Sequence, residues 1–551
     1  MKKYVIGTDF GTLSGRTVLV DTATGEELAE SVLAYPHAVM DEFLPSGKRL
    51  PANYALQYPE DYLEVLRTTI PDVMQKSRVA VDDIAAMAID FTACTVLPVD
   101  ENGCPLCMKN EYADEPHAYV KLWKHHGAQK YADEINALAK QRGEKWLDIY
   151  GGKISCEWAL PKILEVLREA PDVYKNTYRF TEAADWLSLV LTGEETHSAA
   201  FAGYKALWNK ETGYPSDSFM TALDAGLSGI VGTKLSENVL GVDSIAGHLC
   251  AEGARLTGLP EGLVVAMPMI DGHAGITALN VTGEGDLMMI LGTSSCQMIN
   301  STVKTDIEGI CGYVDGAVIP KYCTYEAGLA GVGDVFDWFV RNGVPESYAQ
   351  EAKSRGMGIH KLLREKAMKL GVGESRLLAL DWLNGNRNIL VNSDLSGMIL
   401  GLNLGTRPEE IYRALIEATA YGTRVIFEQY EKYGLSIGKV YVGGGIAQKD
   451  EMMMQIYADV LGKELFVAGT TQAGALGSAI YASVAGGIYP DVVTAAAHMS
   501  PPPIRSYKPI DENVQAYDLL YREYKTLYDY FGKENLVMER LTKGLKQSSD
   551  K

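Results

Sequence analysis

Apolar runs of strand type alternate with helical patterns in the first part of the chain. Strands are predicted at Tyr4–Gly7, Thr17–Val20, Ala85–Ile89 and Cys94–Pro98, and helices at Glu60–Met74 and Ala118–Lys140. More helix follows at Trp158–Ala170 and Thr181–Leu191. Strands that alternate with helices in this way are typical of an α/β domain.

The second half of the chain repeats this plan. Strands are predicted at Leu287–Leu291, Cys296–Ile299 and Lys439–Val442, and helices at Glu409–Tyr433, Glu451–Leu461 and Glu512–Lys546. Because 551 residues exceed what one hydrophobic core usually holds, we expect an α/β protein of two domains, residues 1–282 and 283–551.

Charge and hydropathy exclude several classes of protein. The formal net charge is -20, so the chain lacks the basic excess with which nucleic-acid-binding proteins neutralise phosphates. The chain reaches a charge, Asp9, too soon after its start for a signal peptide, and no apolar run of about 18 residues predicts a membrane span. We expect a cytoplasmic protein with neither nucleic acid nor membrane as a partner.

Two groups of metal-binding residue types are interpreted as structural. Cys104 and Cys107 have C-x-x-C spacing, but without a second pair they favour a surface turn over a zinc site. His125 and His126 have no metal-like partners in the sequence and are expected at the surface.

The first strand pair, Tyr4 to Asp21, encloses a loop of small residues with one early carboxylate, Asp9. Glycines let such a loop approach a ligand closely, and hydroxyl and backbone N–H groups add donors. The loop therefore suits the phosphate tail of a nucleotide, with Asp9 left to hold a metal ion. A similar strand and turn return at Leu287–Asn300.

Neither a Walker loop nor a G-x-G-x-x-G motif is present. The chain instead carries other glycine-rich segments, each after an apolar run or before a helix: the Asp9 loop, 292–295, 443–447 and 472–477. One such segment is a weak signal, because glycines often only end strands. All four segments in this order make a specific signal.

With these segments the chain resembles the FGGY carbohydrate kinases, within the actin-like and hexokinase-like ATPases. The resemblance includes Glu157–Leu164, around its Trp and Lys, and Gly397–Leu402 with Glu410–Glu417. It implies two ribonuclease H-like domains with a central cleft, with sugar bound mainly by the first domain and ATP mainly by the second.

Within the family, Asp90–Cys94, Leu122–Lys124 and Gly443–Ala447 are most similar to the branch that acts on L-ribulose. This implies Mg²⁺- and ATP-dependent phosphorylation of the terminal hydroxyl, giving L-ribulose 5-phosphate for arabinose catabolism. A homodimer is a further family expectation. The alternatives are a sister kinase for xylulose, glycerol or another polyol, and an actin-like ATPase that phosphorylates no sugar.

Asp271 is the predicted catalytic base. It follows the apolar run Val264–Ile270 and opens a helix, so it would be directed toward a ligand at the strand end. Phosphoryl transfer needs a carboxylate within hydrogen-bond reach of the attacking hydroxyl, and the DGHAG turn resembles that of the family base. An N-cap is the plain alternative, since Asp is favoured there.

The predicted nucleotide site takes its residues from the glycine-rich segments. Asp9 would hold Mg²⁺ through water, although it could simply stabilise its own turn. By the resemblance, the phosphate contacts are Thr12, Ser14, Arg16, Gly292 and Thr293, and the adenosine contacts are Gly443, Gly444, Gly445, Lys449 and Asp450. Arg16 could equally be a surface strand residue, and related kinases often carry Asn where Asp450 stands.

The predicted sugar contacts besides Asp271 are Ala93, Trp123, Lys205 and Glu326. Ala93 lies in a turn that follows a strand. Lys205 is a lone cation among apolar residues, and a surface lysine is the alternative. Glu326 could bind hydroxyls or only start a helix, and Trp123 could stack on the sugar or pack in the core.

Overall fold

The computed structural model describes residues 3–542 and divides the chain into two compact units. Unit 1 takes the residues up to Thr282 together with Gly312–Thr324 and Gln472–Pro501, and unit 2 takes the remainder. The domain boundary after residue 282 therefore stays a prediction, because by contacts two segments from the second half of the chain join unit 1.

Strands and helices alternate in both units, and the α/β class is confirmed. The strands are β1 (Tyr4–Phe10), β2 (Ser14–Asp21), β3 (Glu27–Ala34), β4 (Leu56–Gln57), β5 (Ile84–Phe91), β6 (Val96–Val99), β7 (Val120–Lys121), β8 (Arg179–Glu182), β9 (His197–Ser198), β10 (Val239–Leu240), β11 (Ile245–His248), β12 (Val264–Ala266), β13 (Met269–Ile270), β14 (Leu287–Leu291), β15 (Ser295–Ser301), β16 (Gly312–Asp315), β17 (Cys323–Ala327), β18 (Leu378–Leu380), β19 (Met398–Leu400), β20 (Val440–Gly443), β21 (Leu465–Val467) and β22 (Arg505–Tyr507). The helices are α1 (Pro59–Ser77), α2 (Gln129–Arg142), α3 (Trp146–Ile149), α4 (Ala159–Glu169), α5 (Pro171–Asn176), α6 (Ala183–Thr192), α7 (Ala199–Lys205), α8 (Asp217–Leu223), α9 (Ile230–Thr233), α10 (Ala251–Thr257), α11 (Asp271–Ala278), α12 (Gly333–Gly343), α13 (Glu346–Ser354), α14 (Ile359–Ala367), α15 (Pro408–Lys432), α16 (Gly445–Lys449), α17 (Glu451–Leu461), α18 (Ala473–Ala485), α19 (Val492–Met499), α20 (Asp511–Asp529) and α21 (Val537–Thr542).

The main sheets of the two units follow one plan. In unit 1 the order is β3-β2-β1-β5-β12-β11, with β13 also paired to β5. Its β1 is antiparallel to β2 and parallel to β5, and β11 is an antiparallel edge. In unit 2 the order is β17-β15-β14-β20-β21-β22. Here β14 is antiparallel to β15 and parallel to β20, as β1 is to β2 and β5, and β22 is an antiparallel edge like β11. The repeat predicted from the sequence is present.

Helix α18 comes from the second half of the chain and packs directly on β1. A Cβ atom added at Gly7 would lie 1.9 Å from the carbonyl oxygen of Ala475 in α18. At Gly477 an added Cβ would lie 2.0 Å from the carbonyl oxygen of Ala274 in α11. Glycine at both positions thus permits close contact between backbones. At Gly7 the contact is between β1 and α18, which both belong to unit 1.

The predicted helix Ala118–Lys140 is wrong in its first half. Val120–Lys121 forms β7, which pairs with β4 and β6, and the helix begins only at Gln129. Sheet pairing overrides the local helical pattern here. The predicted strand Val264–Ile270 is split into β12 and β13 around Pro268, since proline lacks the N–H that a ladder needs.

The C-terminal helix is also interrupted. The prediction Glu512–Lys546 corresponds to α20, a π-helical turn at Tyr530–Glu534, and α21. Residues 543–546 of that prediction lie outside the described residues.

His125 was expected at the surface, and that expectation is wrong. Its side chain is fully buried, with Nε2 2.9 Å from the Glu165 carboxylate. Lys121 pairs with the same carboxylate at 2.8 Å. Burial lowers the pKa of His125 to about 3, so the ring is neutral at physiological pH. Cys107 is buried too, and both it and the partly buried Cys104 are free thiols.

We predict that Gly7→Ala lowers the free energy of unfolding by about 3 kcal/mol or more, because backbone atoms of α18 cannot yield to the new methyl group. Gly11→Ala is the matched control in the same loop region, since its Cβ would lie 3.4 Å from the nearest atom, the Ser14 carbonyl oxygen. Chemical denaturation of both variants tests this. Equal losses of stability would contradict the close packing at Gly7.

Asp381 gives unit 2 a buried titratable group. It follows β18 and accepts a hydrogen bond from the Tyr524 hydroxyl of α20 at 3.1 Å. Burial raises the pKa of Asp381 from 3.8 to about 6. The folded state thus binds this proton more tightly than the unfolded chain, so deprotonation costs stability as the pH rises from about 4 through 6.

We predict that Asp381→Asn is stabilising relative to the wild type at pH 8 and that the difference shrinks at pH 5. Asparagine retains an acceptor for Tyr524 but carries no charge to desolvate. The gain in free energy of unfolding over the wild type is about 1 kcal/mol larger at pH 8 than at pH 5. Urea denaturation at both pH values measures it, and a stability difference independent of pH would disprove the assignment.

Candidate active site

Carboxylates of unit 1 come together at the ends of neighbouring strands. Asp9 in β1 lies opposite Asp90 in β5, and β13 pairs with the Asp90 end of β5. Asp271 directly follows β13 as the first residue of α11. Parallel strands bring their carboxyl ends to one edge of a sheet, where α/β proteins bind ligands. The negative charges of Asp9 and Asp271 both act on Asp90.

Asp90 is the most deeply placed of these carboxylates. It is fully buried, and Ser478 of α18 donates a hydrogen bond to its Oδ2 at 2.7 Å. Burial, together with repulsion from Asp9 and Asp271, raises the pKa of Asp90 well above its ordinary value. Burial also raises the pKa of Asp9, while a hydrogen bond from Asp90 and the charge of Arg16 act to lower it. Asp90 therefore holds the proton more tightly and Asp9 is the accepting partner.

Asp271 is the first helical residue rather than the N-cap. The cap position belongs to Ile270, and no side-chain capping bond forms there. One carboxylate oxygen of Asp271 accepts the N–H of Gly272 at 2.7 Å. The N-cap alternative for Asp271 is thus not what the structure has, and its place at a helix start beside β5 remains compatible with the predicted role.

Arg16 lies opposite Asp9 across the β1–β2 pair. Its Nε is 3.3 Å from Oδ2 of Asp9, and Nη1 donates to Gln472 at 2.8 Å. Arg16 is therefore directed along the sheet toward Asp9 and toward the start of α18.

The predicted phosphate loop between β1 and β2 is held by side chains from outside it. Tyr35 donates its hydroxyl to the Gly11 carbonyl at 2.9 Å, and Gln57 donates to the Thr12 carbonyl at 2.8 Å. Trp123 donates its Nε1–H to the Thr12 hydroxyl at 3.1 Å. Ser14 begins β2, and its carbonyl accepts from Gly11 at 3.0 Å. Trp123, predicted as a sugar contact, thus touches the loop predicted for phosphate.

The other predicted sugar contacts of unit 1 are Ala93 and Lys205. Ala93 lies in the turn between β5 and β6. Lys205 ends α7 and is 8% exposed, with its ammonium 5.8 Å from the ring centroid of Trp158. The surface alternative for Lys205 is therefore wrong. Its neighbour Tyr204 packs edge-to-face on His273, with the two ring centroids 4.4 Å apart. His273 lies two residues beyond Asp271.

In unit 2, two glycine segments share one edge of the sheet. The Gly292–Thr293 turn follows β14, and Gly443–Gly445 ends the parallel strand β20. Gly444 has φ +97°, and an added Cβ would lie 2.3 Å from the Leu291 carbonyl oxygen. The turn is stabilised by α12, because Gly333 donates to the Gly292 carbonyl and Val332 to the Thr293 carbonyl.

Asp450 and Glu326 have structural partners. Asp450 is the N-cap of α17, accepts the Met453 N–H at 3.0 Å, and pairs with Arg364 at 3.0 Å. Lys449 ends α16 just before it. Glu326 lies within β17 rather than at a helix start, and its carbonyl accepts from Cys311 at 2.9 Å.

Sequence reasoning missed Asp90 as a member of this cluster. The signal was available, because Asp90 ends the apolar run Ala85–Ile89 just as Asp9 follows Val5–Thr8. Ser478 and Gln472 give no such signal, since their contacts depend on where α18 packs. Within residues 3–542, no group of three or more His, Cys, Asp or Glu is arranged to hold a metal ion. In the same part of the chain, no helix has both the length and the apolarity that a membrane crossing requires.

Family models match both halves of the chain. Residues 4–277 match the N-terminal domain of the FGGY family of carbohydrate kinases. Residues 287–486 match its C-terminal domain.

Curated relatives match over nearly the full length. A protein of Bacillus licheniformis named ribulokinase is 50% identical over 96% of this chain and 97% of its own. The ribulokinase of Halalkalibacterium halodurans is 49% identical over 98% of this chain and 97% of its own. The ribulokinase of Mycolicibacterium smegmatis is 46% identical over 98% of this chain and 96% of its own.

Solved structures are similar in fold. A ligand-bound xylulose kinase of Lactobacillus acidophilus has a TM-score of 0.80 at 17% identity, covering 97% of this chain and 99% of its own. A Plasmodium falciparum glycerol kinase with ADP has a TM-score of 0.75 at 15% identity, covering 95% and 98%. At these identities the similarity shows the fold alone.

Proposed function

Because the chain belongs to the FGGY family of carbohydrate kinases, we propose that it is an ATP-dependent kinase that phosphorylates the terminal hydroxyl of L-ribulose. The observation that carries the substrate is the match to relatives named ribulokinase at 46 to 50% identity over nearly all of both chains. The L configuration, the product L-ribulose 5-phosphate and a role in arabinose catabolism rest on the sequence resemblance. We also propose that the enzyme acts in the cytoplasm as a homodimer.

In the proposed reaction Asp271 accepts the proton of the attacking hydroxyl. The oxygen freed of its proton forms a bond to the γ-phosphorus of ATP as the bond to the leaving ADP oxygen breaks. Support comes from the position of Asp271 at the first residue of α11, beside the Asp90 end of β5. Asp90 is fully buried and its Oδ2 already accepts from Ser478, whereas Asp271 is partly exposed and so is better placed to meet a substrate hydroxyl.

Unit 1 would supply sugar contacts and one set of phosphate contacts. Ala93, Trp123, Lys205 and Asp271 would contact the sugar. Thr12, Ser14 and Arg16 would contact the γ-phosphoryl group, and Arg16 is held beside Asp9 and Gln472. Unit 2 would bind the rest of ATP and offer Glu326 to a sugar hydroxyl. Its proposed nucleotide contacts are Gly292, Thr293, Gly443, Gly444, Gly445, Lys449 and Asp450.

Asp9 fits the role of a Mg²⁺ anchor. Magnesium prefers oxygen ligands and keeps several waters, so one carboxylate plus substrate phosphates is an ordinary protein contribution. When bound, the ion would neutralise charge on the phosphates. Burial raises the pKa of Asp9, and the hydrogen bond from Asp90 and the charge of Arg16 act against that rise in favour of the ionised form that a metal ion needs.

We predict that kcat/KM in a coupled ATPase assay is highest for L-ribulose among L-ribulose, D-ribulose, D-xylulose, L-xylulose and glycerol. A site that binds ketose hydroxyls leaves buried polar groups unpaired when a smaller polyol is bound, so glycerol should be weaker by about a hundredfold or more. Equal rates on glycerol and the pentuloses would refute the pentulose assignment. ATP turnover that needs no sugar would instead favour an actin-like ATPase.

We predict that Asp271→Asn lowers kcat by about a thousandfold, with both KM values nearly unchanged, because the amide cannot accept the proton. Asp511→Asn is the matched control. Asp511 is likewise the first residue of a helix, α20, after an isoleucine cap that forms no side-chain bond. The control should retain full activity, and substantial activity in Asp271→Asn would exclude Asp271 as the base.

A further inference from the structure

Lys162 is a fully buried lysine that the proposed reaction does not use. It lies in α4, and its ammonium donates to backbone carbonyl oxygens from two different segments. The acceptors are Cys94 at 2.5 Å, Leu122 at 2.9 Å and, more weakly, Lys121 at 3.3 Å. An ammonium has three donors, so backbone carbonyls account for all of them.

Each of the two segments that Lys162 joins follows a strand, β5 or β7, and carries a proposed sugar contact. Cys94 directly follows Ala93, and Leu122 directly precedes Trp123. Trp123 in turn donates to Thr12 in the proposed phosphate loop. One buried cation therefore ties the Ala93 turn to the segment that reaches the phosphate loop.

The Ala93 turn has an unfavourable backbone that needs such support. Cys94 has φ +59°, a left-handed conformation that is uncommon for residues other than glycine. Strain of this kind persists only where the surroundings hold it, and it is concentrated at functional sites. Here Glu182 accepts the Thr95 N–H at 2.7 Å, and the Thr95 hydroxyl donates to the Thr92 carbonyl at 2.7 Å.

We propose that Lys162 is a positioning residue for the sugar: it fixes the Ala93 turn and the Trp123 segment in the geometry that binds ribulose. The inference rests on the proposed function, since it assigns Lys162 to the same sugar site. Without the ammonium, the Cys94 carbonyl would lose this donor, and the Leu122 carbonyl would be left with the N–H of His125. The segments would separate, and the strained Cys94 would relax.

The test compares KM for L-ribulose with KM for ATP in purified, folded Lys162→Met enzyme. We expect KM for the sugar to rise by about tenfold or more, since small displacements of binding groups carry large costs, while KM for ATP stays within about twofold. A purely structural role would lower the amount of folded enzyme without separating the two constants. An unchanged sugar KM in active Lys162→Met would overturn the proposal.

Arg168→Met is the matched control on the same helix. Arg168 also donates to a backbone carbonyl, that of Leu223 at 3.2 Å, and pairs with Glu134 and Asp224. It makes none of the bonds to residues 92–95 or 121–123 that the Lys162 ammonium makes. Both KM values should stay as in the wild type, and a sugar-specific rise in this variant would overturn the proposal.

Thr95→Val keeps the test decisive if Lys162→Met does not fold. This variant removes the hydroxyl that closes the Ala93 turn but keeps the backbone N–H that Glu182 accepts. A smaller, sugar-specific rise in KM supports the proposal, and an unchanged sugar KM overturns it. Failure of the wild type to phosphorylate any ketopentose would instead overturn the proposed function, so the two failures are distinguishable.

Discussion

The close packing of α18 on β1 is the constraint on which the carboxylate cluster of unit 1 depends. Backbone touches backbone at Gly7, and a Cβ at Gly474 would lie 3.1 Å from both the Asp9 Cγ and the Asp90 Oδ1. Ser478, one turn further along α18, donates to Asp90. The helix thus covers the buried side of the carboxylates and supplies a donor there. A larger residue at Gly7 would displace the helix and expose the acids to water, which would remove the cause of their raised pKa values.

Buried polar groups recur in unit 1, and their partners differ in kind. Asp90 accepts a hydrogen bond from Ser478, His125 stays neutral beside the Lys121–Glu165 pair, and the Lys162 ammonium donates to backbone carbonyls. A buried group left without such a partner would be strongly destabilising. Stability alone would be served as well by apolar side chains. What these polar groups add is fixed geometry for the strand ends and turns that carry the proposed contacts.

Local pattern predicted much of this fold, and the errors come from contacts distant in sequence. The strand Leu287–Leu291 and the helix Glu451–Leu461 have the predicted bounds, because their apolar periodicity and their flanking residues agree. The segment from Ala118 carries a helical pattern, yet β4 and β6 draw its first residues into a sheet. A polar residue such as His125 is expected at the surface from local pattern alone. It is buried because it pairs with Glu165, which lies 40 residues away in the sequence. In the same way, the Asp90 cluster could be predicted as strand-end acids, but not the helix that buries it.

The two sheets repeat one topology but not one chemistry. Asp9 and Asp90 are partners across β1 and β5, and the corresponding partners across β14 and β20 are Ile290 and Gly443. The turn that follows is similar in both, with Gly11-Thr12 in one and Gly292-Thr293 in the other. The common turn offers backbone N–H groups, which suit phosphate oxygens in either unit. Carboxylates stand at this pair of strand ends in unit 1, where we propose proton transfer and metal binding. The corresponding pair in unit 2 carries no charge and includes a glycine, and beside it we propose that the base of ATP binds. On this proposal, the duplicated fold divides the two tasks of a kinase by changing the residues at one strand pair.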